Sequence, residues 1–235
     1  MTMRSISLVM SAYNEADYLE SAVKSVLAKL KEHDFDYEIL IFDDASTDNT
    51  GRIAERLACE NPKIKVFHNS ENKNLGYNIS KGIQIASKIY CGLVPCNGLI
   101  APESFDYILP SLGRVDLVVA YIANPGVRPL YRRAISKFNT LALNLLFGFG
   151  LKYYHFSFYR TNLIKKLPKS TESYAIMVEL LVYALASGAT FVEVPFYRIE
   201  RSTGKSKALR LKNITGILKT YVCLFWQVRI LKRRA

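Results

Sequence analysis

Two apolar stretches with polar ends decide the fold of this 235-residue chain, Ser5-Ile-Ser-Leu-Val-Met-Ser-Ala-Tyr-Asn-Glu15 and Tyr37-Glu-Ile-Leu-Ile-Phe-Asp-Asp44. In each stretch the apolar part, residues 5–10 and 37–42, is typical of a buried β-strand, and hydrogen-bonding groups follow it. Between them, apolar residues recur three and four positions apart, as in a helix that packs one face on a sheet: Leu19, Ala22, Val23, Val26, Leu27 and Leu30. A strand, a helix and a second strand in this order predict one crossover unit of a parallel sheet.

The same alternation continues through the rest of the chain. Further strands are predicted at residues 63–67, 90–94, 116–122 and 191–196, and further helices at residues 53–58, 78–87, 131–147 and 172–186. Pro195, near the end of the last strand, predicts an edge strand or a strand terminus. The pattern predicts one α/β domain with a central, mostly parallel sheet flanked by helices. Ligands of such sheets bind at the carboxyl ends of the strands.

Composition and charge narrow the function classes. Half of the residues are hydrophobic and 22% are charged, which excludes disordered and low-complexity chains. The formal net charge is +12, and residues 201–235 hold ten Lys or Arg and no acid. Such a segment suits phosphates, anionic lipid headgroups or nucleic acid. Nucleic acid ranks last, because no reader motif is present and acids at the sheet edge would repel its phosphates.

Cysteine spacing and hydropathy indicate the compartment. The four cysteines show no C-x-x-C pair, and no leader pattern precedes the apolar run at Ile6, which favours a reducing cytosol. No apolar run reaches the roughly 18 residues of a spanning helix, so membrane contact is expected to be peripheral.

The polar groups after the first two strands have two interpretations. Asn14 is a candidate helix cap, with Glu15 favoured by the helix dipole. Asp43 and Asp44 are good turn residues, and at this sheet edge they are also candidates to hydrogen-bond a base or ribose. The turn role and the ligand role are compatible.

Several motifs together resemble family 2 glycosyltransferases, which act on nucleotide sugars and have the GT-A fold. After the two strand ends comes Asn74-Leu-Gly-Tyr-Asn-Ile-Ser-Lys-Gly82, similar to the family's Asn-x-Gly…Gly stretch. Phe191-Val-Glu-Val-Pro195 and Arg201-Ser-Thr-Gly-Lys-Ser-Lys207 resemble the signature of the members that act on polyprenyl phosphates, the dolichol-phosphate-mannose-synthase-like enzymes. The resemblance spans nearly the whole chain and implies a GT-A-type nucleotide-binding sandwich over residues 1–207.

The resemblance also implies roles for individual residues. The nucleotide sugar would be held by Ala12, Tyr13, Asn14, Glu15, Asp43, Asp44, Cys96, Asn97 and Lys207. Arg201, Lys205 and Lys207 would lie over the diphosphate, where cations offset the charge of the leaving group. Arg132 and Arg133 fall where relatives bind the phosphate of a lipid acceptor. The family implies transfer with inversion.

One stretch departs from the family pattern. Relatives usually have an Asp-x-Asp motif at the end of the fourth strand, whose carboxylates hold Mg²⁺ or Mn²⁺, whereas this chain has Val94-Pro-Cys-Asn-Gly98. Three outcomes are open. Asn97 supports a cation that the diphosphate mainly holds, basic side chains replace the metal, or the chain has lost catalysis and kept the fold. An Asn carbonyl brings no negative charge, on which the affinity of hard cations depends.

The last segment predicts a basic amphipathic helix over residues 208–235, docked on the core or close to a membrane. Taken together, the sequence predicts a glycosyltransferase at the cytoplasmic face of a membrane. It would move a sugar from a nucleotide diphosphate to a polyprenyl phosphate or a related membrane acceptor. Peripheral contact or a membrane-anchoring partner protein would hold it there. The alternative is a catalytically impaired binding or scaffold protein of the same fold.

Overall fold

A computed structural model describes residues 4–152, 156–171, 173–199 and 220–230. Its strands are β1 (Ser5–Ala12), β2 (Asp36–Asp43), β3 (Ile64–His68), β4 (Tyr90–Leu93), β5 (Leu117–Ile122), β6 (Phe156–Arg160) and β7 (Phe191–Phe196). Its helices are α1 (Ala16–Glu32), α2 (Thr50–Glu60), α3 (Asn74–Ile85), α4 (Phe105–Ile108), α5 (Leu130–Phe147), α6 (Thr161–Lys166) and α7 (Ile176–Ala186). Residues 220–230 are also helical, the last five in π geometry.

The strands form one sheet in the order β3-β2-β1-β4-β6-β5-β7. Four of the six strand pairings are parallel, and the two that involve β6 are antiparallel. The prediction of a mostly parallel sheet flanked by helices is confirmed. Among the described strands, β7 pairs with β5 alone and lies at the sheet edge, one of the two positions that Pro195 predicted, because proline has no N–H for a second partner strand.

Apolar side chains of the strands point alternately to two helical layers. On β1, Leu8 and Met10 face the layer of α1, α2 and α4, whereas Val9 faces the layer of α3, α5, α6 and α7. The predicted stripe on α1 is the buried one, with Leu19, Val23, Val26 and Leu30 in the core. The period of two along strands and of 3.6 along helices thus accounts for a sheet covered on both faces.

The second half of the chain contains elements that the sequence did not predict. β6 and α6 are new, and α7 begins at Ile176 rather than in the predicted stretch from residue 172. β6 is buried on both faces and α6 has six residues, so neither shows a clear period. Among the described residues, no helix combines the length and the apolar character needed to cross a bilayer.

Candidate functional site

The carboxyl ends of six strands meet at one edge of the sheet. β1, β2, β3 and β4 run parallel, and β5 shares their direction because β6 is antiparallel to both β4 and β5. β7 is parallel to β5 and ends at the same edge. The strand order reverses between β1 and β4, and the crevice at such a switch point is where α/β sheets bind their ligands. We call this side of the sheet, where the strands end, the binding edge; it is distinct from the outermost strands β3 and β7.

The loops after β1 and β2 interlock at the binding edge. Thr47 donates its backbone N–H to Asn14 Oδ1 over 2.8 Å, and Asn14 donates its own to Ser46 Oγ over 3.1 Å. Asn14 and Ala45 both have left-handed backbone, with φ of 54° and 59°. The prediction that Asn14 caps α1 is wrong, because this helix begins at Ala16 after Glu15 and the Asn14 amide holds the neighbouring loop.

Asp48 supports both helices that follow these loops. Its Oδ2 accepts the N–H of Ala16, the first residue of α1, and its Oδ1 accepts the N–H of Thr50, the first residue of α2. Burial raises the pKa of this carboxyl, but hydrogen bonds from Thr50 and Ala16 outweigh it and lower the pKa. A carboxylate at a helix start is favoured by the dipole. Asp48 therefore fixes the entry of two helices at the binding edge.

Asp44 is buried and organises the loop that leads into α3. Its Oδ1 accepts Asn69 Nδ2 at 2.7 Å and the N–H of Lys73 at 2.8 Å, and its Oδ2 accepts the N–H of Asn74 at 3.1 Å. Asn69 Nδ2 also donates to Asn78 Oδ1, again over 2.7 Å. Asp44 thus joins the exit of β2 to the start of α3, within the motif that resembles the family's Asn-x-Gly stretch.

Asp43 is buried beside a histidine that the sequence analysis missed. His68 Nδ1 lies 2.9 Å from Asp43 Oδ2, and His68 Nε2 lies 2.7 Å from Glu55 Oε1. The hydrogen bonds to Glu55 first, and to Asp43 next, raise the pKa of His68. Gly51 leaves room for this pair, since a Cβ there would lie 2.7 Å from Asp43 Oδ2. The signal in the sequence was the position of His68 at the carboxyl end of a third parallel strand.

The exit of β4 brings Cys96 and Asn97 to the same edge. Cys96 is buried, and its thiol donates to the carbonyl oxygen of Ser11 at the end of β1. Gly98 follows with φ of 66°, and a Cβ at this position would lie 3.0 Å from Cδ1 of Tyr18. The predicted residues after β1, β2 and β4 therefore come together on neighbouring strands.

The donor set after β4 does not fit a divalent cation held by the protein. Residues 94–98 offer one amide oxygen, from Asn97, and a buried thiol, whereas Mg²⁺ takes oxygen ligands that include carboxylates. Among the described residues, Glu32, His33 and Asp106 form another cluster of metal-type ligands. Lys29 Nζ lies 2.9 Å from Glu32 Oε2 and from Asp106 Oδ1, so this cluster is an ion-pair network.

Arg132 and Arg133 lie in the first turn of α5, which follows the exit of β5 at the binding edge. Both are half-buried, and Arg132 Nε donates to the hydroxyl of Tyr131 over 3.2 Å. Asn124, in the loop before α5, exchanges two hydrogen bonds with the backbone of Arg198. The predicted phosphate-binding pair thus begins beside the segment that follows β7.

Three predicted cations, Arg201, Lys205 and Lys207, lie outside the described residues. The described chain before them lies at the binding edge. Ile199 donates its N–H to the carbonyl oxygen of Leu99, two residues after Asn97. Ile199, the last described residue before residue 200, therefore lies beside the loop that follows β4.

The family model of glycosyl transferase family 2 matches residues 7–167, which contain most of β1, all of β2 to β6 and the loops after β1, β2 and β4. The chain belongs to glycosyl transferase family 2. This glycosyltransferase is 25% identical over 222 residues to an undecaprenyl-phosphate mannosyltransferase of Micrococcus luteus, with 87% of each chain covered. It is 28% identical over 214 residues to a polyprenol monophosphomannose synthase of Mycolicibacterium smegmatis, covering 85% of this chain and 79% of the relative.

Solved structures confirm the GT-A-type fold of the glycosyltransferase. Glucosyl-3-phosphoglycerate synthase of Mycobacterium tuberculosis, solved with UDP, superposes with a TM-score of 0.72 at 16% identity, covering 94% of this chain and 80% of that one. The same synthase has been solved with Mg²⁺ and UDP, at a TM-score of 0.68, 17% identity and coverage of 95% and 79%. These similarities establish the fold. The ligands of this chain have to be inferred from its own residues.

Glu179 is a buried acid of the glycosyltransferase that lies away from the binding edge. Its carboxylate accepts the N–H groups of Ser170 and Thr171, in the segment after α6. That segment follows β6, whose last residue pairs with Tyr90 at the start of β4. Glu179 therefore lies towards the opposite edge of the sheet and fixes a loop there.

Proposed function

We propose that this glycosyltransferase moves a sugar from a nucleoside diphosphate to a polyprenyl phosphate. The observation that carries the proposal is the meeting, at one edge, of the exits of β1, β2 and β4 with the basic first turn of α5. The names of the two polyprenyl-phosphate relatives, each covering most of this chain, support the acceptor class. A third relative, an undecaprenyl-phosphate 4-deoxy-4-formamido-L-arabinose transferase of Pseudomonas fluorescens, is 23% identical and adds to this support.

The proposed site divides into a donor half and an acceptor half. In the donor half, the nucleotide sugar lies against Ala12–Glu15, Asp43, Asp44, Cys96 and Asn97, with Lys207 over the diphosphate. Asp44 and Asn14 keep the loops of this half in place through the hydrogen bonds described above. In the acceptor half, Arg132 and Arg133 receive the lipid phosphate as charge-assisted hydrogen-bond donors. Both halves share the binding edge, so donor and acceptor meet above the β1 and β4 exits.

The proposed reaction requires little general acid or base catalysis from the protein. A phosphate oxygen of the acceptor attacks the anomeric carbon of the sugar, the bond from that carbon to the diphosphate breaks, and the nucleoside diphosphate leaves with the electron pair. The attacking oxygen is already ionised, so no proton has to be removed. Catalysis then consists of positioning and of charge neutralisation over the diphosphate, which we assign to Arg201 and Lys205. A Mg²⁺ or Mn²⁺ ion in this site would be held mainly by the diphosphate.

The acceptor class places the enzyme at a membrane. Polyprenyl phosphates reside in a bilayer, so the chain must reach its surface by peripheral contact or through an anchoring partner. The basic composition of the carboxyl-terminal region suits an anionic leaflet. We place the enzyme on the cytoplasmic face, where the cysteine pattern indicates a reducing environment.

A transfer assay tests the proposal. The full chain is incubated with undecaprenyl phosphate in detergent and, separately, with GDP-mannose, UDP-glucose and UDP-N-acetylglucosamine. Mass spectrometry of the lipid fraction should find undecaprenyl phosphate that carries one hexose or one N-acetylhexosamine. Turnover in EDTA would show that no divalent cation is needed, and a gain of metal response in Asn97→Asp would identify a weakened cation site. Calorimetric nucleotide binding without product would indicate an impaired enzyme. The absence of both nucleotide binding and product would contradict the proposal.

A further inference from the structure

Helix α5 turns an apolar face to the outside. Its most exposed side chains include Leu130 at 76%, Leu145 at 74% and Phe138 at 71%, and Tyr131, Ile135 and Leu141 are also exposed. Positions 131, 135, 138, 141 and 145 are spaced three and four apart, so they share one side of the helix. Large apolar side chains are rarely gathered on a free surface without a binding role.

The described carboxyl-terminal helix, residues 220–230, packs beside α5 and extends the exposed surface. The Tyr221 hydroxyl donates to Asn139 Oδ1 over 2.6 Å, and Arg229 Nε donates to the carbonyl oxygen of Leu146 over 3.0 Å. The helix also leaves large apolar side chains in the open, namely Val222 at 72%, Trp226 at 57% and Ile230 at 50% exposure. Together the exposed side chains of α5 and of residues 220–230 make up what we call the α5 surface.

Charge on the α5 surface has one sign. α5 contains Arg132, Arg133 and Lys137 and no acid, and residues 220–230 contain Arg229 and no acid. An apolar helix face bordered by cations is the pattern of helices that lie in the interface of an anionic bilayer, where tryptophan is also favoured. A second copy of the chain fits less well, because a two-fold contact on this surface would oppose cations to their own copies.

We propose that the α5 surface docks this chain on an anionic lipid bilayer, with α5 lying along the membrane. At about 1.5 Å per residue, the 18 residues of α5 reach about 27 Å along the interface. Docking would bring the first turn of α5 to the level of the headgroups, where a lipid-borne phosphate would meet the binding edge. This deepens the proposed function by naming the surface that reaches the membrane, but docking itself requires no sugar transfer.

Vesicle flotation of the full chain tests the α5 surface. The chain is mixed with vesicles of phosphatidylcholine alone, or of phosphatidylcholine with phosphatidylglycerol. The double variant Phe138→Ser with Leu145→Ser is compared with a matched control, Ile85→Ser with Ile89→Ser, which changes two apolar residues that are 43% exposed elsewhere on the chain. We expect wild type and control to float with the anionic vesicles, and the α5 variant to lose roughly tenfold or more in partitioning.

A spectroscopic readout and a sizing experiment complete the test. Trp226 is the one tryptophan of the chain, and its emission should shift to the blue when wild type meets anionic vesicles. Equal flotation of variant and wild type, or equal flotation on the two vesicle types, would overturn the proposal. So would a wild-type dimer that the α5 variant converts to a monomer. Unchanged turnover of detergent-dissolved acceptor by the variant would show that docking and transfer are separate properties.

Discussion

Ala45 holds a backbone conformation that costs free energy in a residue with a side chain. Its φ of 59° lies in the left-handed region, where an L-residue pays about 1–2 kcal/mol. Asn14, across the interlocked loops, has a similar φ, but its side chain accepts a hydrogen bond in return. Strained backbone of this kind collects at ligand sites. The loops after β1 and β2 are thus held in place by their neighbours rather than by local preference.

Replacing Ala45 with glycine should relieve this strain. Glycine adopts the left-handed region freely but loses about 0.5–1 kcal/mol through its more flexible unfolded state. We expect Ala45→Gly to raise the free energy of unfolding by about 0–1.5 kcal/mol in urea titrations. Asn14→Gly is the matched control and should lower it, because the bond to Thr47 is lost. A fall of similar size in both variants would contradict the strain argument.

His68 should make stability depend on pH. Hydrogen bonds to Glu55 and then to Asp43 raise its folded pKa above the ordinary value of about 6.5. A raised pKa means that the charged form stabilises the fold fully below the unfolded pKa, and that this stabilisation is lost as pH rises through the folded pKa. The gap in unfolding free energy between wild type and His68→Gln should therefore narrow from about pH 6 to about pH 9. Urea titrations at both values measure it, and a constant gap would refute the assignment.

Close packing of α3 on β1 depends on a glycine. A Cβ on Gly82 would lie 2.3 Å from one methyl carbon of Val9 and 2.8 Å from the other. Because β1 is central in the sheet, the helix must move away to admit a side chain. Gly82→Ala should cost about 1–3 kcal/mol by thermal or urea unfolding. Gly126→Ala, at a position with open space around it, should change stability by less than about 0.5 kcal/mol. Equal effects of the two substitutions would show that α3 does not pack this closely.

Glu179 offers a test that separates structure from catalysis. Its carboxylate accepts two N–H groups of the loop after α6 and is buried. Glu179→Gln puts an amide N–H₂ against those donors, so we expect a loss of about 1–3 kcal/mol in stability. The turnover number of the folded variant should stay near that of wild type, since Glu179 lies away from the binding edge. Glu60→Gln, an exposed acid on α2, is the control for stability.

The sequence predicted some helices and strands more closely than others. Apolar periodicity predicted β1 to β4 and α1 to α3 within a few residues, because each has one clear period and a polar end. β6 reads Phe-Ser-Phe-Tyr-Arg, buried on both faces, and its antiparallel pairing depends on neighbours distant in sequence. Strand direction alone predicted that Asp43 and Asp44 lie at the carboxyl end of β2. The sequence did not predict the role of His68, since that role depends on the register of β3 beside β2.

At the scale of the whole molecule, the binding edge connects two distant parts of the sequence. The loops after β1 and β2 lie more than eighty positions before the first turn of α5, yet all of them follow strands that point the same way. Asn124 adds a direct link from the start of the α5 region to Arg198. One sheet direction thus assembles both proposed halves of the site.

Removing Arg132 and Arg133 should weaken the use of the lipid acceptor and leave nucleotide binding unchanged. Arg132→Ala with Arg133→Ala is expected to lower kcat/KM for undecaprenyl phosphate by roughly a hundredfold, as for two lost charge-assisted contacts. Calorimetric affinity for the free nucleotide should be unchanged. Arg114→Ala removes an exposed cation just before β5, at the opposite edge, and is the matched control. Parallel losses of acceptor turnover and nucleotide affinity in the double variant would contradict the division of the site.

The four thiols fall into two classes of chemical accessibility. Cys91 and Cys96 are buried, and burial raises the pKa of Cys91 to about 12, whereas Cys59 and Cys223 are exposed. Maleimide dyes should therefore label two positions without unfolding the protein. With Cys59 changed to serine, a single fluorophore would sit on Cys223 within the helix beside α5. The native chain thus carries its own attachment point for following that helix in real time.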